Sequence, residues 1–248
     1  SAADFNTKTA AQTLTGTLSA AMASDDILEV SVDAGSSWDT ITTDVTGDPD
    51  TALSTAITLS GTSAIHIRLT DDAGNVGTAD TTSYTLDQTA PTISFSGLDI
   101  SADTGSSSTD YVTKTAAQTL SGTLSAAMAS DDLLQVSINA GSAFSDVTAD
   151  VTGTPDVSLS TSITLTDDTT SAIHLQITDD AGNAGTADTT SYILDTTAPT
   201  ISFSSVDISA DTGTSATDFN TKTAAQTLTA TLSAAMASDD ILKVSVNA

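Results

Sequence analysis

Several residue types are missing or rare in this sequence, and each scarcity excludes a kind of site or structure. There is no cysteine, so the chain has neither a disulfide framework nor a thiolate metal site. Aromatic residues make up only 4 % of the chain, so each core must be small and aliphatic. No apolar run approaches the roughly 18 residues of a membrane span. The first residues do not show the charged-then-apolar pattern of a signal peptide.

Basic residues are also scarce: five Lys and Arg stand against 32 acidic residues, for a net charge of −27. Without a basic patch to neutralise phosphates, the sequence excludes nucleic acid and an anionic membrane surface as partners. Glu29 is the only glutamate, and every other acid is an aspartate. Aspartate is typical of turns and calcium-binding loops, whereas a solvated acidic face uses both acids. This bias therefore indicates that the acidic residues lie in turns or calcium-binding loops.

The sequence repeats itself almost literally. TKTAAQTL begins at Thr7, Thr113 and Thr221, which are 106 and 108 residues apart. TDDAGN begins at Thr70 and Thr178, again 108 residues apart. This period is too long for a solenoid turn and matches one β-sandwich domain of about 100 residues. Since the pattern is cut at both ends, we expect the chain to be an excerpt of a longer protein.

Within a repeat, apolar and polar residues alternate with the period of two that is typical of strands. The clearest case is Ile173, Leu175 and Ile177, which alternate with His174 and Gln176. The other apolar positions of the complete copy are Ile93, Phe95, Leu120, Leu124, Leu134, Val136, Ile138, Phe144, Val147, Leu159, Ile163, Leu165, Tyr192 and Leu194. No helical apolar period of useful length is present. The sequence therefore predicts an all-β fold with about seven short strands in each domain.

Prolines set the predicted boundaries between the repeats. Pro91 and Pro199 lie just before the first strand of a copy, where proline breaks helices and stiffens a linker. We therefore predict a repeat lacking its first strand at 1–90, a complete repeat at 91–198 and the first half of a third at 199–248.

Three recurring strings of the sequence resemble those of a known family. Y-x-L-D-x-T-A-P leads into D-I-S-A-D-T-G and later T-D-D-A-G-N-x-G, and together these strings resemble the extender repeats of giant RTX-type adhesins of Gram-negative bacteria. The resemblance implies seven-stranded immunoglobulin-like β-sandwich domains arranged as a linear rod. It also implies type I secretion to the cell surface, calcium at the domain junctions, and adhesive tip domains outside this sequence.

Acidic residues cluster around each predicted junction. The first set is Asp71, Asp72, Asn75, Asp87, Asp99 and Asp103. The second set is Asp179, Asp180, Asn183, Asp195, Asp207 and Asp211. We expect a hairpin loop, a linker and the start of the next domain to meet at one pole of a sandwich. Converging carboxylates and carbonyls suit Ca²⁺, which takes six to eight oxygen ligands in a flexible geometry, better than Mg²⁺.

Another interpretation is that these aspartates only shape turns, since Asp and Asn bond their own backbone. For TDDAGN alone both interpretations stay open. For each whole set we predict calcium, because clustered carboxylates repel one another unless a cation intervenes. The paired aspartates before a strand are predicted to be solvated turn residues: Asp25, Asp26, Asp131, Asp132, Asp239 and Asp240. Asp4, Asp110 and Asp218 are candidates for peripheral ligands, outside the two predicted sets.

No residues combine into a catalytic site. His66 and His174 occupy corresponding strand positions on the side opposite the apolar row, without a nucleophile motif. Trp38, replaced by Phe144, is predicted to be a core or rim aromatic rather than a sugar platform. The sequence therefore predicts no enzyme.

The predicted function is that of an extracellular, calcium-rigidified spacer in a large bacterial surface adhesin, serving cell adhesion or biofilm formation. Its partners would be neighbouring repeats and the adhesive tip. The alternative is a glycan- or host-protein-binding module of the same surface protein. Divergent loops would favour that alternative. Apart from 60–62 against 166–170, the loops are nearly copied, which favours the spacer.

Overall fold

The computed structural model describes residues 5–166, 170–237 and 240–246. The fold is all-β, with 45 % of residues in strands and 3 % in helices. In this described part of the chain, no helix is long and apolar enough to cross a membrane. The stretch at 125–132 contains a turn and no helix. Asp4 and Asp239 lie outside the described residues.

The first repeat contains eight strands in two sheets that face each other. The strands are β1 Asn6–Thr7, β2 Ala11–Thr17, β3 Ile27–Ser31, β4 Asp39–Thr40, β5 Val45–Gly47, β6 Asp50–Thr58, β7 Thr62–Thr70 and β8 Asp80–Leu86. One sheet has the order β1-β8-β7-β3-β4 and the other β2-β6-β5. Only β1 and β8 pair in parallel; the remaining pairs of this repeat are antiparallel. A single 3₁₀ turn, Thr42–Asp44, precedes β5.

The second repeat has the same strands and one more. They are β9 Phe95–Ile100, β10 Val112–Thr113, β11 Ala117–Leu124, β12 Leu133–Ser137, β13 Ser145–Asp146, β14 Val151–Gly153, β15 Asp156–Thr164, β16 Thr170–Thr178 and β17 Asp188–Leu194. Its sheets have the orders β10-β17-β16-β12-β13 and β14-β15-β11-β9. The additional strand is β9, which pairs antiparallel with the outer side of β11.

The first strand of this repeat differs from the expectation. The alternation of Ile93 with Phe95 predicts a strand there, but β9 begins at Phe95 and continues through Leu98 to Ile100. Ile100 is only 3 % exposed and packs in the core. The period of two fails here because the register of β9 against β11 shifts between Ser121 and Thr123, so two residues of one strand face one residue of the other.

Each of the first two repeats has its own buried core. The core of the second is aliphatic, with Leu134 and Leu175 at 0 % exposure, and it surrounds one aromatic residue, Tyr192. The Tyr192 hydroxyl donates to the Ile138 carbonyl over 2.8 Å, so the buried polar atom is satisfied. Tyr84 donates to Val32 O in the same way in the first repeat. The small aliphatic cores expected from the composition are therefore present.

The third copy has only one pair of strands within the described residues, β18 Phe203–Ile208 and β19 Leu228–Leu232. No second sheet covers them among those residues. Side chains that are buried in the second repeat are exposed here: Leu242 is 57 % exposed, whereas the equivalent Leu134 is 0 % exposed. This copy therefore presents an open apolar face.

One turn differs chemically between the first and second repeats, and the difference predicts a pH dependence of stability. Asp33 accepts hydrogen bonds from Ser37 and Ser31, which lower its pKa from 3.8 to about 2. The second repeat has Asn139 at this position, whose Oδ1 accepts from Ser137 Oγ and Ala143 N. Because the folded pKa is depressed, these bonds stabilise the first repeat fully above about pH 4 and are lost as the pH falls towards about 2.

We expect Asp33→Asn to flatten the acid dependence of the first repeat between about pH 4 and 2. The substitution is compatible with the turn, since Asn139 occupies the same one. NMR titration of the Asp33 carboxyl carbon, with acid unfolding of both proteins, measures this. A carboxyl that titrates near 3.8 would contradict the prediction.

Candidate functional site

Acidic and amide side chains meet where the first repeat contacts the second. Asn6 donates from its side chain to the Asp180 carboxylate, and the Lys8 ammonium donates to the Gly182 carbonyl. From the other side, Asn183 Nδ2 donates to the Asp87 carbonyl over 2.8 Å. We call this group, formed by Asn6, Lys8 and Asp87 with the 179–183 loop, the inter-repeat contact. It ties the C-terminal end of one sandwich to a loop of the next.

The linker also packs against this pole of the second repeat. A Cβ at Gly185 would lie 2.7 Å from the Pro91 carbonyl oxygen, closer than real contacts allow. Glycine is therefore required at 185 for the chain after Pro91 to approach. The equivalent Gly77 faces only its own Leu69 carbonyl, at 3.2 Å. Among the described residues, this close approach to a linker thus occurs at Gly185 and not at Gly77.

Each TDDAGN loop is closed by its first aspartate. Asp179 accepts from the Asn183 backbone N–H at 2.7 Å and from Asn183 Nδ2 at 2.9 Å. In the first repeat, Asp71 accepts the same two bonds from Asn75, and they lower the pKa of Asp71. The loop is thus a turn held by its own side chains, as the turn interpretation expected. What differs is exposure: Asp71 is exposed, whereas Asp179 is half-buried at the inter-repeat contact.

A cleft of about 200 Å³ opens beside the inter-repeat contact. Its lining comprises Asn6, Thr85, Asp87, Ala129, Asp131, Asp132, Asp179, Asp180 and Ala181. The sequence predicted solvated turn roles for Asp131 and Asp132. Asp132 does shape its turn, since its Oδ2 accepts from Ala129 N at 3.0 Å. Both residues also line the cleft, which the sequence analysis missed, so five carboxylates surround it.

A second acidic group lies at the far pole of the second repeat, in the loop between β9 and β10. Asp103 Oδ2 accepts from the Tyr111 N–H at 3.0 Å, while Asp103 Oδ1 is buried and has no hydrogen-bond partner. Burial, and then the charges of Asp99 and Asp103, raise the pKa of Tyr111. The third copy repeats this arrangement: Asp211 Oδ2 accepts from Phe219 N, and Asp211 Oδ1 is buried without a partner.

Hydrogen bonds place this second group beside Asp195. The Asp195 N–H donates to the Thr113 carbonyl at 2.9 Å, and Thr113 Oγ1 donates to the Ala102 carbonyl, next to Asp103. Asp99 and Asp103 therefore share a pole with Asp195, where the chain leaves for the third copy. Asp110 lies in the same loop and accepts from the Val112 N–H, and Asp218 does the same for Asn220 N in the third copy.

The structure thus corrects how the predicted ligands group. Asp71, Asp72 and Asn75 lie at the opposite pole of the first repeat from Asp87. The groups brought together are Asp87 with Asp179, Asp180 and Asn183, and Asp195 with Asp99 and Asp103. Asp207, on β18, and Asp211, in the loop after it, belong to the corresponding group of the third copy and not to that of Asp195.

The reason for the correction is the direction of the strands. The TDDAGN loop joins β16 to the antiparallel β17, and the linker leaves from the other end of β17. A hairpin loop and the linker after its second strand are therefore one strand length apart, which the sequence analysis overlooked. The antiparallel direction of two strands joined by a hairpin was the signal that could have revealed this separation.

Neither of the two acidic groups has the geometry of a complete metal-binding site. In the described ranges, no three His, Asp or Glu side chains converge closely enough to hold an ion. The unpartnered Asp103 Oδ1 nevertheless fits a cation, because a buried carboxylate oxygen without a donor is strongly unfavourable. Its recurrence at Asp211 makes this a property of the loop.

The first repeat also carries three residue types found nowhere else in the chain, and they contact each other. The Arg68 guanidinium lies 3.8 Å from the Trp38 ring centroid, and its Nε donates to Glu29 Oε2 at 2.8 Å. His66 packs edge-on against Trp38. The second repeat has Gln135, Phe144 and Gln176 instead of Glu29, Trp38 and Arg68. The cluster satisfies its own charges, and Arg68 covers one Trp38 face, so it forms no open platform.

No protein-family model matches the sequence, and no curated protein is significantly similar to it.

Proposed function

We propose that this chain is a run of tandem, seven-stranded immunoglobulin-like repeats that forms a calcium-stiffened spacer in a large, secreted bacterial surface adhesin. The observation that carries the proposal is the inter-repeat contact: one sandwich docks onto an acidic loop of the next through Asn6, Lys8 and Asp87. Near-literal copying of the loops supports a spacer over a module that recognises a glycan or a host protein. The second repeat has seven strands of three or more residues among its described strands, which suits the immunoglobulin-like assignment.

Calcium has two places to bind in this proposal. One is the cleft of the inter-repeat contact, where Asp87, Asp131 and Asp180 contribute charge. The other is the loop of Asp103, where the buried Oδ1 has no hydrogen-bond donor. Ca²⁺ supplies positive charge and accepts many oxygen ligands in an irregular arrangement, as loops provide.

The mechanical consequence follows from the charge balance. With 32 acidic and five basic residues, carboxylates at a joint repel one another. Lys8 offsets part of this repulsion at the inter-repeat contact. A bound cation offsets the rest, so the loop, the linker and the preceding repeat move as one unit. Removing calcium loosens the joint and leaves each sandwich core folded.

Thermal unfolding tests the proposal directly. Extracellular modules bind Ca²⁺ with Kd of about 10⁻⁴–10⁻³ M, and at ten times Kd each site contributes about 1.4 kcal/mol. We therefore expect calcium to raise Tm by several degrees relative to chelator, and magnesium to raise it less. Metal content measured after dialysis should show bound calcium. Superimposable scans in calcium and in chelator would contradict the proposal.

A further inference from the structure

One peptide bond of the sequence joins an aspartate to a proline. The four prolines follow Asp48, Ala90, Thr154 and Ala198, so Asp48–Pro49 is the only Asp-Pro bond in the sequence. An aspartate carboxyl can close a five-membered ring onto its own backbone carbonyl carbon, and such an intramolecular attack is far faster than attack by a separate molecule. Proline makes the following amide tertiary, so its nitrogen leaves as a secondary amine. The Asp48–Pro49 bond therefore has both parts that self-cleavage needs.

This bond lies at the tip of the hairpin that joins β5 to β6. Gly47 pairs with Asp50 across the turn. Gly47 has φ +120°, and a Cβ there would lie 2.9 Å from the Pro49 carbonyl oxygen, so the turn is tight. Asp48, Pro49 and Asp50 are all exposed. Water and acid can therefore reach both the Asp48 carboxyl and the Pro49 nitrogen.

The Asp48 carboxylate differs from other loop aspartates in having no hydrogen-bond partner. Asp33 and Asp71 each accept several hydrogen bonds within their own turns. Within the described ranges, no hydrogen bond or ion pair reaches the Asp48 carboxylate. The titratable residues closest to it along the chain are Asp44 and Asp50, and neither is bonded to it. The Asp48 side chain is thus free to turn back onto its own carbonyl carbon.

The second repeat has the same turn without the carboxylate. Gly153 also has φ +120°, a Cβ there would lie 2.8 Å from the Pro155 carbonyl oxygen, and Gly153 pairs with Asp156. Thr154 occupies the position of Asp48. A threonine hydroxyl would have to close a strained four-membered ring to attack its own carbonyl carbon. The two turns therefore match in backbone and differ in the attacking group.

We propose that the first repeat carries a self-cleavage site at which, in acid, the Asp48 carboxyl breaks the Asp48–Pro49 bond. An Asp48 carboxyl oxygen bonds to the Asp48 carbonyl carbon and closes a cyclic anhydride, and the C–N bond to Pro49 breaks. The electron pair of that bond goes to the Pro49 nitrogen, which takes up a proton from the acid. Water then opens the anhydride and leaves Asp48 as a C-terminus with two carboxyl groups. One water molecule is consumed, and no oxidant or reductant is needed.

The cut leaves the repeat assembled, because the two fragments share both sheets. Strands β1 to β5 belong to residues 1–48, and β6 to β8 belong to 49–248. β2 pairs with β6 along its whole length, and β3 pairs with β7. The core also has side chains from both fragments, such as Leu28 from the first and Tyr84 from the second. In the spacer proposed above, which the chemistry does not require, the cut would remove covalent continuity from a repeat that keeps its shape.

Denaturing mass spectrometry of the full chain, incubated in chelator at about pH 4 and at about pH 7, tests this independently of calcium. In acid we expect fragments 1–48 and 49–248, whose masses add up to that of the intact chain plus one water. At neutral pH they should form more slowly by about tenfold or more, because the leaving nitrogen finds less acid. Size-exclusion chromatography in the same acid buffer should show one species that elutes like the uncut chain.

Exchanging residues between the two matched turns gives the decisive comparison. Asp48→Thr should abolish both fragments, and Thr154→Asp should produce a second cut, before Pro155. Each substitution introduces the residue that the same turn has in the other repeat, so circular dichroism should show unchanged folding. A wild-type chain that stays intact in acid overturns the proposal. So do Asp48→Thr chains cut at residue 48 as fast as the wild type, Thr154→Asp chains without the second cut, and fragments that separate on the column.

Discussion

Leu134→Ala is expected to destabilise the second repeat by about 2–5 kcal/mol, the range for removing a buried leucine from a packed core. Leu134 is 0 % exposed and lies on β12, which pairs with β16 on one side and β13 on the other. For a repeat of about 100 residues, each kcal/mol of lost stability lowers Tm by about 4–8 °C. The Tm of the second repeat should therefore fall by about 10 °C or more.

The chain contains its own control for this substitution. Leu242 occupies the same sequence position in the third copy but is 57 % exposed. Leu242→Ala should change the free energy of unfolding by no more than about 0.5 kcal/mol, as for an ordinary surface site. Chemical denaturation of both variants, followed by circular dichroism of the whole chain, measures the difference. Equal losses at the two positions would contradict the buried core.

Replacing Asp179 and Asp180 together with asparagine should weaken calcium binding at the inter-repeat contact by about tenfold or more. Each unit charge about 4 Å from an ion contributes at least ~1 kcal/mol even in water, and here two are lost against a divalent ion. The Asp180 carboxylate accepts from Asn6, so the substitution acts across the contact between the repeats. In calcium, small-angle scattering of this double variant should give a smaller maximum dimension than the wild type gives, close to the wild-type value in chelator.

Asp71→Asn with Asp72→Asn is the matched control. Asp71 closes its loop through the same two bonds to Asn75 that Asp179 makes to Asn183. Any effect on the turn alone therefore appears in both double variants. Because Asp71 and Asp72 are exposed at the other pole of the first repeat, this control should keep the calcium affinity and extended profile of the inter-repeat contact. The calcium hypothesis is falsified if the Asp179 and Asp180 variant keeps both as well.

Much of the β structure was predictable from local pattern. Ile173, Leu175 and Ile177 alternate with polar residues, and they are buried at 1 %, 0 % and 2 % exposure. Alternation works there because β16 lies between two neighbours with one face on the core. It failed at β9, where the register shift against β11 breaks the period of two and moves the strand to Phe95–Ile100.

The acidic residues illustrate the limit of sequence reasoning. Composition and spacing singled out Asp87, Asp103 and Asp180 as special, because aspartate was repeated so literally in loops. Which of them share a pole depended on strand direction, and the participation of Asp131 depended on how one repeat docks on the next. Local sequence encodes turns through hydrogen bonds a few residues apart. Contacts between residues such as Asp87 and Asn183 are set by the packing of whole sheets, so they emerged only once the strands were placed in space.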